Sequence, residues 1–587
     1  MVVSVPSSSP ESEIYELSLK YALKNAIDHG GKAQLEAVVK KVIGERPELR
    51  GRIKEIIGIM KKAVEDVNKM SVNEQRKLAE EKWPEILVKE VKEEKKELPP
   101  LPGAKEGAVV TRFAPNPDFV LHLGNARPAV LSYVYAKRYK GRFILRFEDT
   151  DPKKKTPILE AYDLIKEDLR WLGIEWDEEY IQSLRMEIYY GYARKLLEMG
   201  KAYVCTHSPK EVSEMRRKGM KDPCSDNPIE EHLEKWDKML SGEFGEGEAI
   251  LRIKTDYRHK DPSVRDWIAF RIIDTDKHPH PLVGSKYVVW PTYNFACAID
   301  DHLMGITHIL RAKEHQTNTV KQSFIYKYFG WEQPEAIHFG RLNLEGTVLS
   351  KSKMREGIKE KLYRGWDDPR LGTLIALRRR GILPEAIRDL MLDVGIKPSS
   401  ARISIDNLHA YNRKYLEPIA NRYMFVYEPT KVELVSEKPL KAKIPYHPSF
   451  PERGHRELVL KMDSRSSFIY LCADDVEKFS VGYEFRLLGM ANFRVESLNP
   501  PVAVYVGSDA SYAVSKKLPI LQWVPEHDNV PVTVLRVVKG DLIEEEGLAE
   551  PAVRNLEKGS RVQFFRYGFA ILDSWRDGSP YFYYTHN

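Results

Sequence analysis

Two short stretches combine residue types suited to handling a phosphorylated nucleotide. The first runs from Thr111-Arg112-Phe113-Ala114-Pro115-Asn116-Pro117 to His122-Leu123-Gly124-Asn125 and then into an Ala-rich, helix-forming run. A strand passing through a Pro-rich turn into a helix N-terminus gathers free backbone N–H groups and the positive end of the helix dipole, and both attract phosphate. His122 at that entrance could donate to a phosphate, and Gly124 would let a nucleotide approach the backbone. A histidine that merely caps a helix fits the same pattern. The second stretch is Val348-Leu349-Ser350-Lys351-Ser352-Lys353-Met354. Its Lys and Ser side chains suit charge developing on a transferring phosphoryl group, although a solvated loop has the same composition.

Strands and helices must bring these stretches together. Ala108–Phe113 and Arg142–Phe147 read as short buried strands, the second followed by Glu-Asp-Thr-Asp-Pro and a helix over Leu159–Leu172. Thr307–Leu310 and Ile337–Phe339 read as two more strands with helices nearby, an alternation that predicts a parallel sheet covered by helices. Between the two strand pairs lies a long polar insertion, 183–290. Residues 351–410 read as helical. From 411 to 587 period-2 segments such as Val502–Val506, Val532–Val537 and Val562–Tyr567, bounded by turn residues, predict β-barrels. Upstream, Ile14 to Glu90 reads as short helices punctuated by Gly30-Gly31 and by Gly44 with Pro47, with Leu35, Val38, Val39 and Val42 forming an apolar stripe. A mixed-charge run from Lys89 to Glu97 ending in Leu98-Pro99-Pro100-Leu101-Pro102-Gly103 predicts a linker, which closes a first domain at about residue 100.

The chain of 587 residues, 42% hydrophobic with 20 Phe, 30 Tyr and 10 Trp, is too apolar to be wholly disordered. No apolar run approaches the roughly 20 residues that span a bilayer, and Met1 to Glu13 lacks the pattern of a secretory signal. Four cysteines make no disulfide framework. These features predict a multidomain cytoplasmic protein without a membrane partner, and a monomer. A formal net charge of +6 admits nucleic acid as a partner without arguing for it.

Taken together, the two stretches resemble the HIGH and KMSKS signatures of class I aminoacyl-tRNA synthetases. Arg112–Pro115, Arg146–Pro152, Pro291–Ala296, Ile299–Thr307 and His308–Arg311 narrow the resemblance to glutamyl-tRNA synthetase. The β-rich end resembles the archaeal/eukaryotic branch, whose anticodon-binding part is shared with glutaminyl-tRNA synthetase. The chain departs from the signatures at Asn125, in place of the second histidine of HIGH, and at Val348, in place of the first lysine of KMSKS. The resemblance implies a Rossmann-like catalytic domain (101–182 and 291–350), an acceptor-end-binding insertion (183–290), a helical stem-contact region (351–410), anticodon-binding barrels (411–587) and an appended helical domain (1–100). It implies ligation of glutamate to the glutamate tRNA, with the glutamine tRNA left open as a second acceptor, through an adenylate, with ATP as substrate and Mg²⁺ carried by the nucleotide. His122 and Lys351 would be catalytic. Asn116, His122, Gly124, Asn125, Ser350, Lys351 and Ser352 would hold ATP.

Arg112, Ala114, Glu148, Tyr293 and Arg311 would line the glutamate pocket by the same resemblance, with Glu148 on the ammonium and Arg311 on the side chain. A guanidinium fork pairs with a carboxylate, whereas glutamine's amide would set donors against donors. This separates the reading from its nearest rival, glutaminyl-tRNA synthetase. The simpler alternative is that Arg311 and Glu148 form a structural ion pair. A non-catalytic tRNA-binding scaffold is a further rival, against which the retained His122, Gly124 and Lys351 argue. Cys297 in this pocket is expected to pack and not to react. In the insertion, Cys205, His207, Cys224 and Asp226 are similar to the zinc-binding pairs of some family members, and two buried cysteines beside a surface histidine is the alternative. Arg216, Arg217 and Lys218 would meet the tRNA acceptor end. Arg561, Phe564, Arg566 and Tyr567 have the chemistry to meet splayed anticodon bases, and barrel packing explains the same aromatics.

Overall fold

The computed structural model describes residues 10–28, 31–83 and 97–587. They belong to two compact units, within 1–95 and 96–587. Most of the mixed-charge run, Lys89 to Lys96, and Gly30 lie outside the described residues. The first unit is helical: α1 (Pro10–Asp28), α2 (Leu35–Glu45), α3 (Ile53–Lys69) and α4 (Val72–Lys82), with a 3-10 turn over Pro47–Arg52. The apolar stripe packs as the spacing predicts, with Val38 and Val42 fully buried against Ala22, Leu23, Met60 and Val67. Ser71 and Glu74 close α4 with a reciprocal capping box.

In the second unit, β1 (Val110–Phe113), β2 (Arg142–Phe147) and β3 (Glu178–Ile181) form a parallel sheet ordered β1-β2-β3. The helices α5 (Leu123–Arg138) and α6 (Leu159–Trp171) connect these strands, and both bury apolar faces against them. Such helical crossovers are what parallel strands require. Another parallel pair, β8 (His308–Ala312) with β9 (Glu335–Phe339), lies on the far side of β1. Thr307 joins the two sheets: its N–H donates to the Val110 carbonyl at 3.0 Å, and the Val110 N–H donates to its Oγ1 at 2.9 Å. The strands therefore run outward in both directions from the β1–β8 junction, which makes that junction the topological switch point where ligands of such sheets bind. The C-terminal ends of both strands, carrying Arg112 and Arg311, meet there.

The insertion is not merely polar. α7 (Met186–Glu198), α8 (Pro209–Lys218) and α9 (Ile229–Leu240) accompany an antiparallel sheet of β4 (Ala202–Cys205), β5 (Ile250–Ile253), β6 (Ile268–Ile272) and β7 (Val289–Pro291). Trp236, Trp267, Phe270 and Trp290 fill a core of its own, which reaches Phe295 on α10 (Tyr293–Leu303) and Ile325 on α11 (Gln316–Phe329). Its aromatics are spaced too irregularly to show as a periodic stripe. Nor is 351–410 purely helical. Among α12 (Lys351–Lys359), α13 (Leu374–Arg379), α14 (Pro384–Val394) and α15 (Ile405–Leu416), the strand β11 (Ala401–Ser404) pairs in parallel with β10 (Leu342–Glu345).

Two seven-stranded sheets complete the unit, and their order shows that each is rolled up. In one, the edge strands are Asn421–Tyr423 and Phe425–Tyr427, with only Met424 between them in sequence. In the other, the edges are Ile520–Leu521 and Val524–Pro525, separated by Gln522 and Trp523. Edges joined so closely leave no open side, as in a barrel. The second barrel takes its strands from 429–525, and the first takes 421–427 together with 530–586, so one barrel is nested in sequence within the other.

Candidate active site

A cavity of about 840 Å³ opens at the β1–β8 junction. Arg112, Ala114, Asn116, His122, Gly124, Asn125, Glu148, Tyr293, Arg311 and Lys351 all line it, and Ser350 and Ser352 line an adjoining cavity of about 760 Å³ that shares His122, Gly124 and Lys351. All twelve residues expected to hold nucleotide or amino acid are thus brought together.

His122 is both a cap and a cavity residue. It is the N-cap of α5: the Gly124 N–H donates to its Nδ1 at 3.0 Å, and the His122 N–H donates to Asn125 Oδ1 at 3.1 Å. Since Nδ1 accepts, the ring proton sits on Nε2, which is left to donate. Burial, with Lys351 nearby, pushes the imidazole down to about 4, so it stays neutral. Gly124 is needed at this turn, because a Cβ there would lie 2.8 Å from His122 Cε1. Capping uses Nδ1 alone, so the cap and the expected phosphate contact draw on different atoms of one ring.

Lys351 opens α12 behind the N-cap residue Ser350, whose Oγ lies 3.2 Å from that of Ser352. Its ammonium is ion-paired with Asp118, a side chain only 4% exposed. The segment 371–373 knits this loop to the other signature. The Gly372 N–H donates to the Val348 carbonyl, and the Leu123 N–H donates to the Gly372 carbonyl, both at 3.0 Å.

The amino-acid end carries an unequal set of charges. Arg112 pairs with Asp301 at 3.1 Å, and Arg146 reaches Asp301 at 2.8 Å and Glu148 at 2.9 Å. The two guanidiniums hold the Asp301 carboxyl well below its ordinary range against the cost of burial, whereas burial outweighs them at Glu148 and raises it. Arg311 has only neutral partners. Its guanidinium donates to Tyr293 Oη at 3.2 Å, Thr319 Oγ1 at 2.6 Å and Gln322 Oε1 at 3.0 Å, and its buried Nε has no partner. No carboxylate among the described residues forms an ion pair with it, so the Arg311–Glu148 ion pair considered above is not formed: Glu148 is taken by Arg146. Cys297 lies 3.4 Å from both Arg146 and Asp301, and burial pushes its thiol up to about 12, which leaves it protonated.

Sequence reasoning missed Arg146 and Asp301, which brace the cavity residues Arg112 and Glu148 from behind, although both stand in the quoted motifs. A lone charge within an apolar strand was the available signal for Arg146. It also missed Asp118, which only the folded proximity of two distant loops reveals.

The candidate metal ligands need a correction. Cys205, His207 and Cys224 converge, but the fourth group is Asp222, with the four ligand atoms all within 4.8 Å of one another. Asp226 instead pairs with Lys221. Asp222 is the N-cap of a 3-10 turn and accepts from the Cys224 N–H at 3.0 Å, which aims its other oxygen at Cys205 Sγ, 2.9 Å away. Two sulfurs, an imidazole nitrogen and a carboxylate oxygen form a donor set that suits zinc.

Of the expected tRNA contacts, Arg217 is exposed, Lys218 pairs with Glu214 at 2.6 Å, and Arg216 is half-buried with Nη2 on the Ser263 carbonyl at 2.9 Å. In the first barrel the aromatic expectation fails. Phe564 is fully buried against Phe425 and Phe582, and Tyr567 is buried with its hydroxyl on Glu545, so neither ring faces a partner. The predicted strand through residue 567 ends at Phe564, and a turn with Arg566 at φ +59° folds Tyr567 inward. Arg566 is exposed but held by Asp475 through two bonds of 2.8 and 2.9 Å, and Arg561 is half-buried.

A strand-to-helix turn capped by His122, a second Ser/Lys helix start and a charged pocket at a switch point are the features of a class I aminoacyl-tRNA synthetase. The family described as tRNA synthetases class I (E and Q), catalytic domain, matches residues 108–418, and its anticodon-binding domains match 420–506 and 520–573. The chain belongs to this family. It is 55% identical over 582 residues to the glutamate–tRNA ligase of Thermofilum pendens, covering 98% of this chain and all of the relative. It is 53% identical over 585 residues to that of Pyrobaculum calidifontis and 51% over 578 to that of Pyrococcus furiosus, again with 98% of this chain and all of each relative covered.

Proposed function

We propose that the protein ligates L-glutamate to tRNA in two steps, with ATP and Mg²⁺. In the first, an α-carboxylate oxygen of glutamate bonds to the α-phosphorus of ATP as the bond to pyrophosphate breaks, giving glutamyl-adenylate. In the second, a ribose hydroxyl of the terminal adenosine of tRNA takes the glutamyl group and AMP leaves. The first step moves no proton, so positioning and charge stabilisation supply its rate. The Nε2–H of His122 and the N-terminus of α5 meet the phosphates, and Lys351 exchanges Asp118 for the departing pyrophosphate.

Arg311 carries the choice of amino acid. Arg112 and Arg146 share two carboxylates, Asp301 and Glu148, which leaves the buried Arg311 charge without a counter-ion among the described residues. Glutamate brings one net negative charge and glutamine none. A buried cation without a counter-ion is costly, and a γ-carboxylate on Arg311 supplies the missing partner in a planar, bidentate geometry. Glu148 is placed to meet the ammonium.

The finer assignments rest on the same geometry and on the family. The domain roles follow the boundaries predicted from sequence, with 183–290 on the acceptor end and 411–587 on the anticodon. Cys205, His207, Asp222 and Cys224 would hold a zinc ion that braces the start of the insertion. Metal analysis of purified protein checks this: Asp222→Ala is expected to lose zinc and melt earlier, and Asp226→Ala to keep both.

The deciding experiment is aminoacylation of glutamate and glutamine tRNAs, each offered labelled glutamate or glutamine with ATP and Mg²⁺. Glutamate on its own tRNA is the expected result. Glutamate on both tRNAs would make the enzyme non-discriminating. Transfer of glutamine would overturn the Arg311 argument, and absence of any transfer with tRNA binding intact would favour a scaffold.

A further inference from the structure

Lys351 does not stand alone at the phosphate end. The loop between β2 and α6 places Lys155 on the wall of both cavities, alongside His122, Gly124 and Lys351. Its charge acts on Lys351 and on His315 from there, disfavouring the protonated form of each. The loop is built to hold this position. Asp151 Oδ1 accepts from the Lys153 and Lys154 N–H groups at 3.3 and 2.9 Å, and Asp151 is itself fixed by Arg271 at 2.7 Å. Thr156 Oγ1 donates to the Pro152 carbonyl at 2.9 Å, and the Ile158 N–H donates to the Pro117 carbonyl at 2.9 Å, which ties the loop to the strand-to-helix turn.

Charge around the adjoining cavity is one-sided. Lys155, Arg341, Lys351 and Arg355 line it with Asp118 as the only carboxylate, and Asp118 is engaged by Lys351 and, at 4.0 Å, by Arg355. Lys153 is paired with Glu246, whereas Lys155 has no ion-pair partner among the described residues. The KMSKS-like loop is also one lysine short, at Val348. That residue's carbonyl is used to hold Gly372.

We propose that Lys155 is a phosphate-binding residue that, with Lys351, grips the β- and γ-phosphates of ATP and stabilises the pyrophosphate as it leaves. Lys155 supplies from the β2–α6 loop the second cation that the KMSKS-like loop lacks. The proposal rests on the ligase reading above.

The test compares Lys155→Ala, Lys155→Arg and Lys154→Ala with the unsubstituted protein. ATP binding is measured by equilibrium dialysis, and tRNA- and glutamate-dependent ATP–pyrophosphate exchange by steady-state kinetics. One charge-assisted phosphate contact corresponds to about a tenfold change in ATP affinity. Lys155→Ala is expected to weaken ATP binding and raise KM for ATP by about that factor with KM for glutamate unchanged. Lys155→Arg should largely restore both, and Lys154→Ala should leave both unchanged. Equal ATP affinity in Lys155→Ala and the unsubstituted protein would overturn the proposal, as would a loss of the same size in Lys154→Ala or no rescue by arginine. Absence of exchange in the unsubstituted protein would count against the ligase reading, while dialysis would still decide whether Lys155 binds the triphosphate.

Discussion

Arg311 sits in a buried pocket with a phenol, a threonine hydroxyl and a glutamine carbonyl as its partners among the described residues. Replacing it with glutamine removes both the charge and the fork. A buried charge pair broken on one side costs about 3–5 kcal/mol, so Arg311→Gln should lower kcat/KM for glutamate by at least about a hundredfold, read in the aminoacylation assay, with KM for ATP little changed. Arg311→Lys should recover only part, because an ammonium cannot pair bidentately. The sequence made Arg311, Glu148 and Tyr293 legible through the motifs around them. It did not reveal that Glu148, just past the end of β2, would be claimed by Arg146 within that strand, since only folding and burial force the two to pair. The matching Cys-x-His and Cys-x-Asp spacings point to Asp226, whereas Asp222 reaches the site by capping a turn, which spacing does not show.

At the scale of elements, α5 and α6 make different demands. The start of α5 depends on Gly124, since any side chain there meets the His122 ring. Gly124→Ala should displace the imidazole and raise KM for ATP severalfold while the melting temperature changes by only a few degrees, a split that kinetics and calorimetry together would read. On α6, Asp168 is fully buried among apolar side chains, and neither carboxylate oxygen has a hydrogen-bond partner among the described residues. Burial raises its carboxyl to about 8, with Arg378 opposing and Glu167 adding to the shift. The unfolded chain releases this proton near pH 4, so the folded state holds a proton that the unfolded state lacks between about pH 4 and 8. Stability is therefore lost as pH rises through that window. Asp168→Asn, which cannot ionise, should raise the melting temperature by more at pH 8 than at pH 5. The helix over Leu159–Leu172 is legible in sequence, but the burial of Asp168 within it is not. Arg378 of α13 reaches the neighbouring Glu167 at 2.9 Å and acts on Asp168, an approach that the local pattern does not encode.

At the scale of the molecule, the parallel sheet was legible because buried strands read as unbroken apolar runs between helical segments. The insertion's core was not, since its tryptophans come from helices, strands and loops in no fixed period. The barrels announced themselves through alternation and turns, yet alternation gives no strand order. That is why Phe564 and Tyr567 looked available to a partner when barrel closure turns both rings inward.

The nesting of the two barrels sets a timetable for their formation. All strands of the 429–525 barrel fall within one continuous stretch of chain, whereas Asn421–Tyr423 finds its partner only at Arg561–Phe564, across the whole of the other barrel. Long-separated pairings are slow because their loop closure must precede any contact. During synthesis the inner barrel can close while its surrounding neighbour holds only Asn421–Tyr423 and Phe425–Tyr427, two strands ready to pair with whatever edge they meet. Pulsed hydrogen exchange during refolding of the full chain should find amides of 429–525 protected before those of 561–586. The reverse order would mean that the outer barrel templates the inner one.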